Sequence, residues 1–127
     1  MAISQERSLR KATGGRYRDY RKKRLFNLGD LPTYTKIGDT KLKLKREKGG
    51  NPKYTLLSTN KINVVLDKKT KKSQVANIKT VVDNPANRNF IRRNIITKGT
   101  LVETNLGKVK VTSRPGQEGT LNGILVS

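Results

Sequence analysis

The 127-residue chain has no cysteine, no histidine and no tryptophan, and only nine acidic side chains. Without cysteine there is neither a disulfide nor a thiolate metal site, which suits a reducing interior. Without histidine the residue most used for proton transfer near neutral pH is gone, and a serine or threonine nucleophile lacks its usual base. The carboxylates are scattered, with no spacing that resembles a metal-ligand set. Residues 49–54, GGNPKY, lack the terminal Gly-Lys-Ser/Thr of a phosphate-cradling loop. The expectation is a protein that is not an enzyme, with no catalytic residue, metal, cofactor or small-molecule substrate. Long apolar runs are missing as well, none approaching the roughly 18–20 residues of a membrane span. The N-terminus has no hydrophobic segment of a secretory signal, and Gly14-Gly15 argues against the amphipathic helix of an organellar transit peptide. A soluble cytoplasmic protein without a membrane partner is expected.

What is present is positive charge. Twenty-nine Lys and Arg give a formal net charge of +20, whereas a small domain needs only about 2–8 for solubility. The excess points to a polyanionic partner, and phosphate backbone is the commonest one. The densest stretch holds Arg7, Arg10, Lys11, Arg16, Arg18, Arg21, Lys22, Lys23 and Arg24, opposed only by Asp19. Leu9 is its one aliphatic residue larger than alanine. Such a segment cannot bury enough apolar surface to offset an ordering entropy of roughly 1–2 kcal/mol per residue. Three features favour nucleic acid over a merely solvated charge run or a nuclear-localisation tail. Arginine predominates, and its guanidinium fork pairs with phosphate in a bidentate way. Tyr17 and Tyr20 are interleaved with the arginines and offer ring faces for unpaired bases. Gly14 and Gly15 let the backbone turn tightly beside a phosphate chain. A membrane-surface peptide would need an apolar face, which is absent here.

Leu, Ile, Val and Phe fill 7 of the first 40 positions but 23 of the 74 from Tyr54 to Ser127. The first share lies in the disordered range and the second in the folded range. Residues 1–38 are therefore expected to form a basic extension and connector, disordered without RNA, and residues 39–127 a folded body. Leu25, Phe26, Leu28 and Leu31 form an apolar cluster at the end of the arm, expected to dock on the body or on a neighbour. In the body, Lys41–Lys45 alternates strictly, as a half-buried strand does, placing Leu42 and Leu44 on one face and three lysines on the other. Further strands are expected at 54–58, 62–66, 73–82 (with a bulge; a helix is the alternative that its β-branched content disfavours), 95–97, 101–104, 108–113 and 120–126. Gly-bearing turns join many of them, and Asp67–Lys72 reads as an exposed charged hairpin tip, weighed below even as an RNA contact. About six or seven short strands at this spacing predict an all-β fold, a small antiparallel β-barrel carrying an extended basic N-terminal arm.

Two loops of the body add candidates. In Asn84–Asn94 (NPANRNFIRRN), Phe90 and Ile91 are expected to pack inward, leaving Arg88, Arg92, Arg93 and four asparagines to meet folded RNA. In Thr112–Gln117 the Pro115-Gly116 pair predicts a type II turn with positive φ at Gly116. Arg114 beside it is a further RNA candidate.

Three blocks, Ala12–Gly29, Asn84–Gly99 and Val111–Gly123, resemble in order and spacing the archaeal and eukaryotic small-subunit ribosomal protein family S-eight-e, in its short archaeal-type form. The resemblance covers essentially the whole chain. It implies a structural constituent of the small ribosomal subunit, a β-barrel with a basic extension bound to small-subunit rRNA and flanked by neighbouring ribosomal proteins. A free-standing RNA-binding regulator or RNA-processing factor is the alternative from another class.

Overall fold

A computed structural model of the chain describes residues 3–66 and 72–126. It divides into two units, Met1–Pro32 and Thr33–Ser127. In the first, strand β1 (Ile3–Ser4) pairs antiparallel with β2 (Leu28–Gly29), Ile3 opposite Gly29 and Ser4 opposite Leu28. A single 3-10 turn at Leu25–Asn27 leads into β2. None of residues 4–32 is buried. Of the apolar cluster only Leu28 is half-buried, whereas Leu25, Phe26 and Leu31 are 87%, 74% and 74% exposed. Two paired residues at each end and no core leave this unit held by local polar contacts.

The second unit begins with β3 (Thr35–Lys36), so the segment expected to lead out of the extension carries a strand with Thr35 fully buried. Next come β4 (Lys41–Arg46), β5 (Pro52–Ser58), β6 (Lys61–Val65) and β7 (Ser73–Asp83). A four-residue helix, α1 (Asn89–Arg92), precedes β8 (Ile95–Ile96), β9 (Leu101–Thr104), β10 (Gly107–Val111) and β11 (Asn122–Leu125). Strands β10, β11, β6, β7 and β9 close into a barrel, and β4, β5, β3 and β8 form a four-stranded sheet. The fold is all-β, as the alternation predicts. Four barrel seams are antiparallel, while β11 meets β6 in parallel with Gly123 opposite Val64. The expected charged hairpin tip, residues 67–71, lies outside the described residues; beside it Leu66 N–H donates to Lys72 O at 3.0 Å.

Period-two spacing builds the core. Ile62 and Val64 of β6, Val109 and Val111 of β10, and Val102 of β9 are each at most 1% exposed. On β7 the buried positions run Ala76, Ile78, Val81, a change of parity made possible by the register shift between Ile78 and Thr80. Val75 and Val82 point outward instead. Leu56 of β5 and Ile96 of β8 belong to the same buried cluster. Gly123 is required at the parallel seam, because a Cβ there would lie 2.5 Å from Val109 Cγ1 and 3.0 Å from Ile62 Cδ1.

One strand departs from its expected environment. β4 forms where the alternation places it, but all six residues are exposed, Leu42 by 51% and Leu44 by 64%. Alternation requires a two-faced strand without saying that anything covers the apolar face; β4 is an edge strand paired with β5.

Candidate nucleic-acid interface

The N-terminal unit folds its basic residues around a tight turn. Gly14 takes φ = 82°, Gly14 N–H donates to Lys11 O at 3.0 Å, and Lys11 N–H to Gly15 O at 2.8 Å. Arg10 and Arg16 face each other across an antiparallel bridge, and Arg10 Nη1 donates to Gly14 O at 2.9 Å. A side chain at position 14 would meet no neighbour, so the glycine serves the left-handed backbone alone.

Both tyrosines of this unit carry cations on their rings. The Arg7 guanidinium lies 4.2 Å from the Tyr17 ring centre, with Lys11 Nζ at 5.6 Å from the same ring. Arg21 lies 4.9 Å from the centre of Tyr20, whose residue is 72% exposed. Arg7 Nη2 also donates to Arg18 O at 3.4 Å. A cavity of about 390 Å³ opens among these groups, lined by Arg7, Leu9, Tyr17, Asp19, Tyr20 and Arg21, among others. Glu6, which the sequence reading passed over, is a local counter-ion: it accepts from Arg21 Nη2 at 3.0 Å and from Asn27 Nδ2 at 2.9 Å. Arg16, Arg18, Lys22, Lys23 and Arg24 are exposed, and Arg24 O accepts the Asn27 N–H of the 3-10 turn.

In the second unit Arg88, Arg92 and Arg93 are all exposed and cluster on or beside α1. Phe90 and Ile91 are half-buried, and Ile91 packs against the core cluster, as expected of them. The helix stops at Asn94, which adopts φ = 50° and turns the chain into β8. The asparagines divide by role. Asn84 is 3% exposed, donates to Ile95 O at 3.1 Å and accepts from Ala86 N–H and Thr97 Oγ1, both at 3.0 Å. Its amide is spent on shaping the loop and does not face a ligand. Asn87 Oδ1 likewise accepts Asn89 N–H at 2.9 Å, an Asx turn.

Tyr34 joins this cluster without any signal in the sequence. Its ring stands edge-on to Phe90 at 5.6 Å between centres, and the Arg93 guanidinium lies 5.6 Å from it. Arg114 is exposed on its turn, which closes from Gln117 N–H to Arg114 O at 2.9 Å. Gly116 does not take the positive φ of a type II turn. It sits instead against Thr33, whose Cβ lies 3.5 Å from where a side chain on Gly116 would begin.

Chemically, the exposed groups in both units are guanidinium forks and aromatic ring faces, the groups suited to pair with phosphate and to stack on bases. Among the described residues there is no group of acidic side chains able to hold a metal, and no helix long and apolar enough to cross a membrane.

Residues 4–126 match the family model for ribosomal protein S8e. The chain is 51% identical over 126 residues to the small ribosomal subunit protein eS8 of Methanobrevibacter smithii, covering 99% of this chain and 100% of that one. It is 50% identical over 128 residues to the protein of the same name from Methanococcus aeolicus, covering 100% and 99%. The eS8 protein of Nanoarchaeum equitans is 49% identical over 122 residues, covering 96% and 95%.

Proposed function

Because the chain belongs to the ribosomal protein S8e family, we propose that it is a structural constituent of the small ribosomal subunit, binding rRNA through its N-terminal unit and through the basic surface of the barrel. The observation that carries this reading is the make-up of residues 4–32: a run of arginines and lysines with two exposed tyrosines and no buried residue. A segment with no core gains order from a partner, and one this basic gains it from phosphate.

The mechanism is charge neutralisation. Each Lys or Arg seated on phosphate releases condensed counterions, so binding weakens with salt by a slope of about 0.7–0.9 per contact. Residues 1–31 thread between RNA helices and reduce their mutual repulsion, while Arg88, Arg92, Arg93 and Arg114 anchor the barrel on the same RNA. Tyr17 and Tyr20 back Arg7 and Arg21 with their rings, which pre-orders the guanidinium planes for stacking on unpaired bases.

The test is co-sedimentation of the tagged full chain with small subunits through a high-salt wash, followed by ultraviolet crosslinking of residues 7–24 to rRNA. Retention with arm-to-rRNA crosslinks is expected. Release by the wash with binding only to free RNA would favour a regulator acting outside the ribosome and overturn this reading.

A further inference from the structure

The β4–β5 hairpin is the part of the body that the fold explains least. Residues 41–53 hold six basic side chains, Lys41, Lys43, Lys45, Arg46, Lys48 and Lys53, against one acid, Glu47. The register sets Lys45 directly opposite Lys53, with Lys43 next to them on the same face. Like charges placed across a ladder are destabilising; Lys53 pairs with Glu47 at 3.9 Å, an ion pair partly exposed at both ends. On the other face Leu42 lies opposite Leu56, and Leu44 opposite Tyr54. Leu56 is buried, but Leu42, Leu44 and Tyr54 are 51%, 64% and 50% exposed.

The tip is built to be thin. Gly49 and Gly50 both take positive φ, 75° and 78°. At the root, a Cβ on Gly119 would lie 2.8 Å from Tyr54 Cβ and 3.5 Å from Leu42 Cδ2, so this glycine's backbone braces the apolar face where it leaves the core. The tyrosine is therefore held at its base while its ring stays half exposed. A two-stranded ribbon beyond its core contacts is marginal in water. Its charge says what completes it: a net +5 over thirteen residues requires a polyanion.

We infer that the β4–β5 hairpin is a second RNA-inserting element, its lysine face seated on phosphates and Tyr54, flanked by Leu44, stacked on an unpaired base. This rests on the RNA-binding reading above and extends it to a segment outside the arm and the arginine loops. A protein neighbour would suit the leucines alone, but the charge on the ribbon favours RNA.

Two full-length variants and one crosslink test it, using a small-subunit rRNA fragment that the unaltered chain binds. Replacing Lys43, Lys45 and Lys53 together with Gln should lower the salt slope of binding by about 2–3, with the melting temperature unchanged or raised. Tyr54→Leu should weaken binding about 5–150-fold at an unchanged slope, the range expected for one stacked base. A photo-crosslinking residue in place of Leu44, in assembled small subunits, should label rRNA. Unaltered slope and affinity in both variants, or a crosslink to protein in place of RNA, would overturn the inference. If the unaltered chain itself fails to bind the fragment, the broader RNA-binding reading falls and not the hairpin alone.

Discussion

The two units of this protein carry charge at nearly the same density, +6 over residues 1–32 and +14 over residues 33–127. Yet the first has no buried residue among those described, and the second closes a barrel around residues that are 0–7% exposed. Charge therefore does not decide which unit has a core. Apolar spacing does. Between Arg7 and Arg24 only Leu9 is a large aliphatic, and it is 70% exposed, whereas β6 and β10 supply an inward valine or isoleucine at every second position. With period two, each strand offers the core a continuous apolar edge, and burial at about 25 cal/mol per Å² then outweighs the repulsion among surface lysines.

If this contrast is sound, the largest effect comes from deleting the charged half of it. Removing residues 1–24 should lower the salt slope of RNA binding by roughly 4–7, from about five to eight lost phosphate contacts, while the barrel melts as before. An unchanged slope, or an unfolded remainder, would break the comparison at its root. The converse change is Ile62→Ala, which removes a 1%-exposed barrel side chain. It should cost about 2–5 kcal/mol in chemical denaturation and leave the salt slope alone. Between these lies a case that probes the barrel's surface rather than its core. Arg92→Ala with Arg93→Ala should weaken RNA binding by about 1–3 kcal/mol with little change in melting temperature. A large stability loss with intact binding would assign these arginines to the fold, with Arg93 acting through Tyr34. The smallest effect is expected at Glu6→Gln. Its ion pair with Arg21 is 34–40% exposed at both ends, so stability should shift by no more than about 1 kcal/mol.

Several particular residues mark where sequence reading ended. The bulge in β7 was legible, because Ile78 and Val81 cannot share a face without one. The burial of Asn84 was not: an asparagine in a polar loop looks the same whether it faces solvent or closes the loop from inside. Gly116 had the residue pair of a type II turn, but its φ is not positive, and a Cβ there would only reach ordinary contact with Thr33, more than 80 positions earlier. Tyr34 lies far from Arg93 in the chain, and only the folding of β3 beside β8 brings the two together. Leu42 and Leu44 showed the right period and the wrong environment.

By itself the sequence determined that a core-poor basic segment precedes an all-β body, where most strands run, and that the chain's charge exceeds what solubility needs. Those are properties of composition and local period, and they survive without knowing any distant neighbour. Tertiary structure alone decided the parallel β11–β6 seam that closes the barrel, the parity at which β7 turns inward, and which apolar edges stay uncovered. Each of these depends on what lies across a face from residues remote in the chain, and a two-residue period carries no record of that.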